Sequence, residues 1–420
     1  MNLHFFNLIG WAAMLLLAWG ISSHRRRFPW RTVFWGLGLQ FALAVLILTT
    51  PWGGFVFELA GKVIGKLREF ATDGTEFVFG SLADQNAVGH VFGAGHGVVF
   101  AILVTGTVVI VSALSSLFYH WGILPRVVRV VAWVMQRAMG TSGSETLSAV
   151  ANIVMGQTEA PLIIRPYVPR MTRSELMTIM VCGMAHIAGG VAAVYASLGK
   201  DAGYPNTAGH LLAASVLNCP AALLIAKIML PETERSETAG ASPATVPRTT
   251  ANSIDAVCRG AGDGFYLSVN ICAMLIGFIA IISLANYVFA WAQTHVGVAQ
   301  PWTIQTVFGW VNAPFAWLMG VPAQDCRAVG QFLGERIVLN EFVGYLDLTN
   351  HAKDLDPRSF MIATYALCGF ANFGSIAIQV GGIGSLAPER RSEMAQMGFR
   401  AMIGGLLAAY MTACLAGFLL

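Results

Sequence analysis

The sequence predicts an all-α integral membrane protein with eight transmembrane helices, two re-entrant helical hairpins in inverted repeats, and helices lying in the membrane interface. Three observations predict it. Of 420 residues, 56% are hydrophobic and 11% charged, where a soluble domain carries about 25% charged residues. Eight windows hold the roughly 20 mostly apolar residues that a spanning helix needs. A polar, glycine-interrupted block also occurs twice in otherwise apolar sequence. The net charge of +3 is small and dispersed, which offers no basic face to a nucleic acid. Cys182, Cys219, Cys258, Cys272, Cys326, Cys368 and Cys414 show no metal-ligand spacing and read as free thiols in apolar packing.

The windows lie near Leu3–Gly20, Val33–Thr50, Val98–Tyr119, Leu176–Ser197, Leu211–Leu230, Phe265–Ala292, Phe360–Val380 and Ala401–Leu420. The first lacks a basic lead and a small-residue cleavage site, so it is expected to stay in the mature protein. Basic residues mark cytoplasmic loops. His24-Arg25-Arg26-Arg27, then Arg126, Arg129 and Arg137, then Arg390-Arg391 all fall on one side when the N-terminus is outside. That orientation suits a multi-pass protein of the cell (inner) membrane. The polar stretch Pro231 to Asn252 lands on the same side, and its composition predicts a mobile cytoplasmic loop. Phe57–Phe70 and Pro125–Met139 mix charged and large apolar residues, which suits helices in the interface and equally suits amphipathic packing helices.

Between the third and fourth windows, Ser144–Val168 contains Gly156-Gln157-Thr158-Glu159-Ala160-Pro161. Gly156 and Gln157 break the helical pattern, Thr158 is a good N-cap, and Pro161 falls in the first turn of a second half-helix. Glu159 would then lie at the positive end of that half-helix. Irregular backbone at membrane depth survives only where it is buried or lines a wet cavity. Thr303–Leu346 reads as a second hairpin, with Glu341 as the counterpart of Glu159.

The fourth and seventh windows are related as well. Cys182-Gly183-Met184-Ala185-His186 matches Cys368-Gly369-Phe370-Ala371-Asn372, and Arg173-Ser174 and Arg358-Ser359 precede them at nearly equal distances. The fourth runs outward and the seventh inward, so the halves are inverted. Interrupted helices at corresponding positions of inverted repeats point to the midplane site of a secondary transporter. A carboxylate at the membrane centre costs roughly 2.5–3.5 kcal/mol, so Glu159 and Glu341 are read as functional. Asn372 and Ser375 also fit interhelical hydrogen bonding, and Phe370 also fits packing. The expected division is 1–140 scaffold, 141–230 first repeat, 231–300 loop and sixth span, and 301–420 second repeat.

At GQTEAP (156–161), GERIVLNEFVGY (334–345) and CGFANFGSIAIQVGGIGSLAPERR (368–391) the chain resembles a concentrative nucleoside transporter of the bacterial eight-span type, from about Ser144 to the C-terminus. The resemblance implies a secondary active symporter that imports nucleosides of the uridine, cytidine and adenosine class on a cation gradient by alternating access. It also implies a homotrimer with one site per protomer, between the two hairpins and the unwound middles of spans four and seven, and elevator-like motion. Carried over by motif, Gln157 and Thr158 would hydrogen-bond the nucleobase with Glu159 helping. Glu341, Asn372 and Ser375 would take the ribose hydroxyls, and Phe370 and Val191 would pack on the base. A cation site would draw on Asn152, Met155, His186 and Ile187.

The chain departs from the family pattern in three places. Arg336 stands where lysine is usual, a change of donor geometry, and Gly344 stands where alanine is usual. His186 stands where sodium-coupled members typically carry a hydroxyl. Sodium prefers oxygen ligands, whereas a histidine with an unperturbed pKa of about 6.5 suits a proton. Na+ and H+ are therefore both candidates for the coupling ion, and no organic cofactor is expected. Three rival readings are a membrane-embedded enzyme using Glu159 and Glu341 as acid and base, a channel, and a transporter of another small polar solute. Against the enzyme, the sequence holds no nucleophile motif, HExxH or phosphate loop. Against the channel, paired broken helices favour alternating access.

Overall fold

The computed structural model describes residues 3–84, 87–88, 99–240 and 250–420. Every regular element among them is helical. The first helix, α1 (Leu3–Gly20), coincides with the first apolar window. Then come α2 (Trp30–Leu48) and α3 (Pro51–Phe79), which opens on a proline in its first turn and closes at Gly80, whose φ of 58° favours glycine. The expected amphipathic segment Phe57–Phe70 is the middle of α3. The third window becomes α4 (Phe100–His120); its expected first residue, Val98, lies outside the described residues. α5 (Ile123–Met139) runs between Gly122 and Gly140, both at φ 72°. It buries Val128, Ala132, Met135 and Met139 on one stripe and exposes Val127, Val130 and Trp133 on the other, as a helix at a membrane interface would.

Two similar successions follow. The first is α6 (Gly143–Ala151), a stretch of turns to Arg170, α7 (Arg173–Ala185), α8 (Gly189–Asp201) and α9 (Thr207–Met229). After the 43-residue α10 (Ser253–His295) and α11 (Ile304–Leu318), the second is α12 (Cys326–Val338), α13 (Glu341–Asn350), α14 (Pro357–Leu367), α15 (Phe373–Gly382) and α16 (Arg391–Leu419). The fourth and seventh windows thus each cover two helices separated by a break. Five helices or helix pairs among the described residues are long and apolar enough to cross a membrane: 30–48, 101–120, 173–201, 207–229 and 388–419. α16 packs on α1, α7, α9 and α14, and α10 packs along α4. A Cβ on Gly260 of α10 would lie 2.6 Å from the Ser112 carbonyl oxygen of α4, the close approach that glycines four residues apart permit between membrane helices.

Three expectations need correction. Residues 303–346 are not a two-armed hairpin. Gly320 at φ 82° and Pro322 stop α11, so α12 and α13 are the arms and the chain turns at Leu339-Asn340. Thr158 caps no helix: the second arm of the first hairpin is a 3-10 helix over Ala160–Ile164 and another over Val168–Arg170, with no side-chain cap. Pro166 explains the interruption, because in mid-arm it removes a donor and would clash with the preceding turn of an α-helix, whereas Pro161 and Pro169 open the two 3-10 segments.

The third correction concerns the segment from Pro231 to Asn252. Its first ten residues are docked rather than free. Gly143 N donates to Thr238 O at 3.1 Å, Ser144 N to Thr238 Oγ1 at 3.1 Å, and Ser236 Oγ to Glu175 Oε1 at 2.6 Å. The orphan amides at the start of α6 need partners, and this segment supplies them. Beside it, Lys227 Nζ lies 2.7 Å from Glu145 Oε2, and both side chains are buried. Residues 241–249 lie outside the described residues.

Candidate substrate site

The two breaks cross. Phe370 N donates to His186 O at 3.2 Å, and Asn218 of α9 donates from Nδ2 to Ala185 O at 2.6 Å and Cys368 O at 3.2 Å. A broken helix leaves buried carbonyls that need partners; one amide serves a carbonyl from each break. Gly369 sits at φ 133°, and a Cβ there would lie 2.7 Å from the Ala185 carbonyl, so the crossing requires glycine. Sequence reasoning missed Asn218, although a lone amide in the apolar run around it was a visible signal.

The second half presents Glu341 already paired. Asn340 caps α13 by accepting from Val343 N at 3.0 Å, which puts Glu341 in the first turn. Asn372 caps α15 by accepting from Ser375 N at 2.8 Å and donates from Nδ2 to Glu341 Oε2 at 2.8 Å. Tyr195 OH donates to Glu341 Oε1 at 3.4 Å, and Glu341 is 6% exposed. Arg336, fully buried, donates from Nη1 to Ala366 O near the C-terminal end of α14, the end whose dipole favours a cation.

In the first half, Glu159 folds back so that Oε2 accepts from Gly156 N at 3.2 Å, holding the turn. Gln157 reaches across to the other half: its Nε2 donates to Ser375 Oγ at 3.2 Å, and its Oε1 accepts from Gln379 Nε2 at 3.0 Å. A Cβ on Gly183 would lie 2.5 Å from Gln379 Nε2 and 3.1 Å from Gln157 Cβ, so glycine admits this bridge. Thr158 packs on Gly382. A cavity of about 140 Å³ opens between these tips and breaks. Its walls include Gln157, Thr158, Glu159, Val191, Glu341, Phe370, Asn372 and Ser375, all the substrate-site residues expected from sequence. Leu267 and Ile271 of α10 close one side; nothing in their apolar context distinguished them beforehand.

The four expected cation-site residues come from two adjoining segments. Asn152 and Met155 lie just after α6 and His186 and Ile187 lie in the first break, and Gly189 N donates to Val154 O at 3.4 Å between them. Asn152 Nδ2 donates to Ser148 O at 3.0 Å, while its buried Oδ1 has no partner. His186 is buried; Nδ1 donates to Cys182 O at 2.7 Å, and Nε2 has no hydrogen-bond partner.

Apolar helices of membrane length, with two interrupted helices that cross at their breaks beside a polar cavity, define a membrane transporter of the broken-helix kind. Family models agree. The Na+ dependent nucleoside transporter N-terminus matches residues 9–82, the corresponding C-terminus matches 210–417, and a nucleoside recognition gate matches 101–202. The chain belongs to the Na+ dependent nucleoside transporter family. It is 39% identical to an uncharacterized transporter of Haemophilus influenzae over 98% of this chain and 96% of that one. It is 37% identical to the sodium/nucleoside cotransporter 1 of Rattus norvegicus over 98% of this chain and 63% of the relative. The chain thus spans about six tenths of such mammalian relatives, as it does for solute carrier family 28 member 3 of Mus musculus, at 59%. Among solved structures, CNTnw in an inward-facing substrate-bound state superimposes with a TM-score of 0.91 at 36% identity, covering 99% of this chain and 98% of that one. A CNTnw variant in an outward-facing state gives 0.92 at 35% identity, covering 99% and 97%.

Proposed function

We propose that this protein is a symporter that imports nucleosides on a cation gradient by alternating access, and is not an enzyme. The observation that carries the reading is the Glu341–Asn372 pair, 2.8 Å apart, in a cavity walled by both hairpin tips and both breaks. A carboxylate and an amide side by side take up vicinal ribose hydroxyls, the carboxylate accepting and the amide completing the pattern. Ser375 adds a hydroxyl. Gln157 and Thr158 read the base edge, with Glu159 beside them, while Phe370 and Val191 cover its face. Gln157 already spans the gap to Ser375 and Gln379, so a nucleobase would exchange one side-chain partner for another rather than desolvate a free amide.

The architecture that goes with this reading has eight spans and two re-entrant hairpins in inverted repeats. The scaffold is 1–140, the first repeat 141–230, the loop and sixth span 231–300, and the second repeat 301–420. The protein would form a homotrimer in the inner membrane with its N-terminus outside. The named sodium cotransporters among the relatives support Na+ as the coupling ion, held by Asn152 Oδ1 and carbonyls near Met155 and Ile187. H+ is the alternative: His186 Nε2 is buried without a partner, and an imidazole nitrogen can take up a proton.

Purified protein in sealed vesicles should accumulate uridine or adenosine when a cation gradient is imposed. Failure with every common nucleoside, for folded protein, would overturn the proposal. Replacing sodium by choline stops uptake if sodium is the ion. A protonophore at fixed sodium stops it if the proton is.

A further inference from the structure

A second cavity, of about 190 Å³, lies beyond the first, between α4, α10 and the turns after α6. The two share Glu159, Ala188 and Leu267 on their walls, so Glu159 stands where one chamber meets the other. The wall of the second is polar in an unusual way for a seam between apolar helices. Ser112, Ser116 and Tyr119 of α4 bring hydroxyls to it, and Arg259 and Asp263 of α10 bring a cation and an anion. Arg259 and Asp263 stand four residues apart and share a helix face. Gly260 and Gly264, between and beside them, let α4 approach closely enough to carry its serines there: a Cβ on Gly264 would lie 2.9 Å from Ser112 Cβ. Arg259 and Asp263 precede the apolar window Phe265–Ala292, at the end of α10 where charged side chains can meet both the chamber and water, and none of these five takes part in the first cavity.

We propose that this chamber is a second, weaker nucleoside site, through which the nucleoside passes between the Glu341 cavity and the membrane face at the C-terminal end of α4. The inference rests on the nucleoside reading of the first cavity. Asp263 accepts from ribose hydroxyls or from a base N–H, Arg259 donates to base carbonyls, and the hydroxyls of Ser112, Ser116 and Tyr119 serve either role. Glu159, common to both walls, can hold the solute from one side as it is received on the other. Affinity is lower because no carboxylate is pre-paired with an amide as Glu341 is with Asn372, so binding must order the groups it uses.

The test uses full-length protein in lipid nanodiscs, with uridine binding followed by saturation-transfer NMR and by calorimetry. Glu341→Gln should lose the tight site, about ten-fold or more in affinity, and keep weak saturable binding. Adding Asp263→Asn to that background should weaken the residual binding several-fold, as should Ser116→Ala with Tyr119→Phe, a pair that guards against misfolding of the charged variant. Asp263→Asn alone should leave tight binding intact and lower the maximal transport rate. The proposal is overturned if Glu341→Gln abolishes all saturable binding, or if the residual binding ignores both chamber variants. Wild-type affinity in Glu341→Gln would instead sink the assignment of the first cavity.

Discussion

After its turn at Leu339-Asn340, the second half runs on as a regular helix whose first turn is capped by Asn340, accepting from Val343 N at 3.0 Å. The first half, after Gly156-Gln157, runs from Ala160 to Arg170 in short 3-10 turns with no side-chain cap. The breaks differ in the same sense. α15 starts under the Asn372 cap, whereas α8 starts after Ala188 with no side-chain cap. In the second half Glu341 is paired with Asn372 and Tyr195 before any solute arrives, although Arg336 Nη2 and Gln379 Oε1 are buried there without partners. In the first half, Asn152 Oδ1 is buried without a partner and Glu159 stands exposed in the cavity. One succession of elements has thus been finished as a rigid clamp and as an adaptable face. If Glu341 takes the ribose as proposed, a clamp suits the group that every nucleoside shares, and an adaptable face suits the base and the ion, which differ.

The largest expected effect is on the clamp. Glu341→Gln removes a charge-assisted acceptor worth about 1.5–3 kcal/mol, or about 10–150-fold in uptake efficiency. Glu159→Gln should cost much less, because Glu159 chiefly holds the Gly156 amide at 3.2 Å. Initial rates with labelled uridine compare them, and equal losses would break the contrast between halves. Free uracil should compete weakly with uridine, since it has nothing to offer Glu341.

Next is backbone strain at the two glycines. Gly369→Ala places a Cβ 2.7 Å from the Ala185 carbonyl at a φ of 133°, and should cost about 1–3 kcal/mol in thermal stability. The Cβ of Gly156→Ala would meet nothing closer than 3.5 Å and should change stability by about 0.5 kcal/mol or less. A comparable melting shift in the two variants would show the first tip to be as tightly built as the crossing.

Hydropathy and the cost of buried charge made much of this legible. Five of the eight apolar windows fall on helices or helix pairs long and apolar enough to cross a membrane among the described residues, and Glu159 and Glu341 stood out because a carboxylate in an apolar run requires a reason. What escaped were features decided by competition between local rules. Thr158 has the chemistry of an N-cap, but Pro166 denies the arm a continuous α-helix. Gly320 and Pro322 divided 303–346 where apolar patterning continued. Residues 231–240 have the composition of a free loop, and the amides of Gly143 and Ser144 and the Glu175 carboxylate give Thr238 and Ser236 a place to dock. Asn218 was hidden because its role depends on two carbonyls, 33 and 150 residues away.

His186→Ser sharpens the contrast on the ion side. It removes the imidazole that donates to Cys182 O and puts a hydroxyl oxygen in the break, which adjoins the segment after α6 through Gly189 N and Val154 O. If the proton is the native ion, sodium dependence should appear in this variant and the protonophore effect should fade, by about 2–10-fold in rate for one added ligand. If the native protein is strictly sodium dependent, the variant should bind sodium more tightly by a similar factor. Uptake unchanged in either ion would place His186 outside the coupling site.

The smallest effect bears most directly on how the two arms are held. An N-cap side chain satisfies one otherwise orphaned amide, and its loss typically costs about 0.5–2 kcal/mol. Asn340→Ala leaves Val343 N without its 3.0 Å acceptor at a position 7% exposed, where little water can replace it. A loss of about 1 kcal/mol in thermal stability is expected, with weaker uridine binding because Glu341 follows directly in the chain. Thr158 carries no such bond: its turn is closed by Gly156 O accepting from Glu159 N and Ala160 N, each at 3.1 Å, and by the Glu159 side chain. Thr158→Val keeps the methyl that packs on Gly382 and removes only the hydroxyl, so stability should move by about 0.5 kcal/mol or less. Any effect on uptake should depend on the nucleobase, differing between uridine and adenosine. A stability loss equal to that of Asn340→Ala would mean that Thr158 caps its arm after all, and that the first hairpin is built on the same principle as the second.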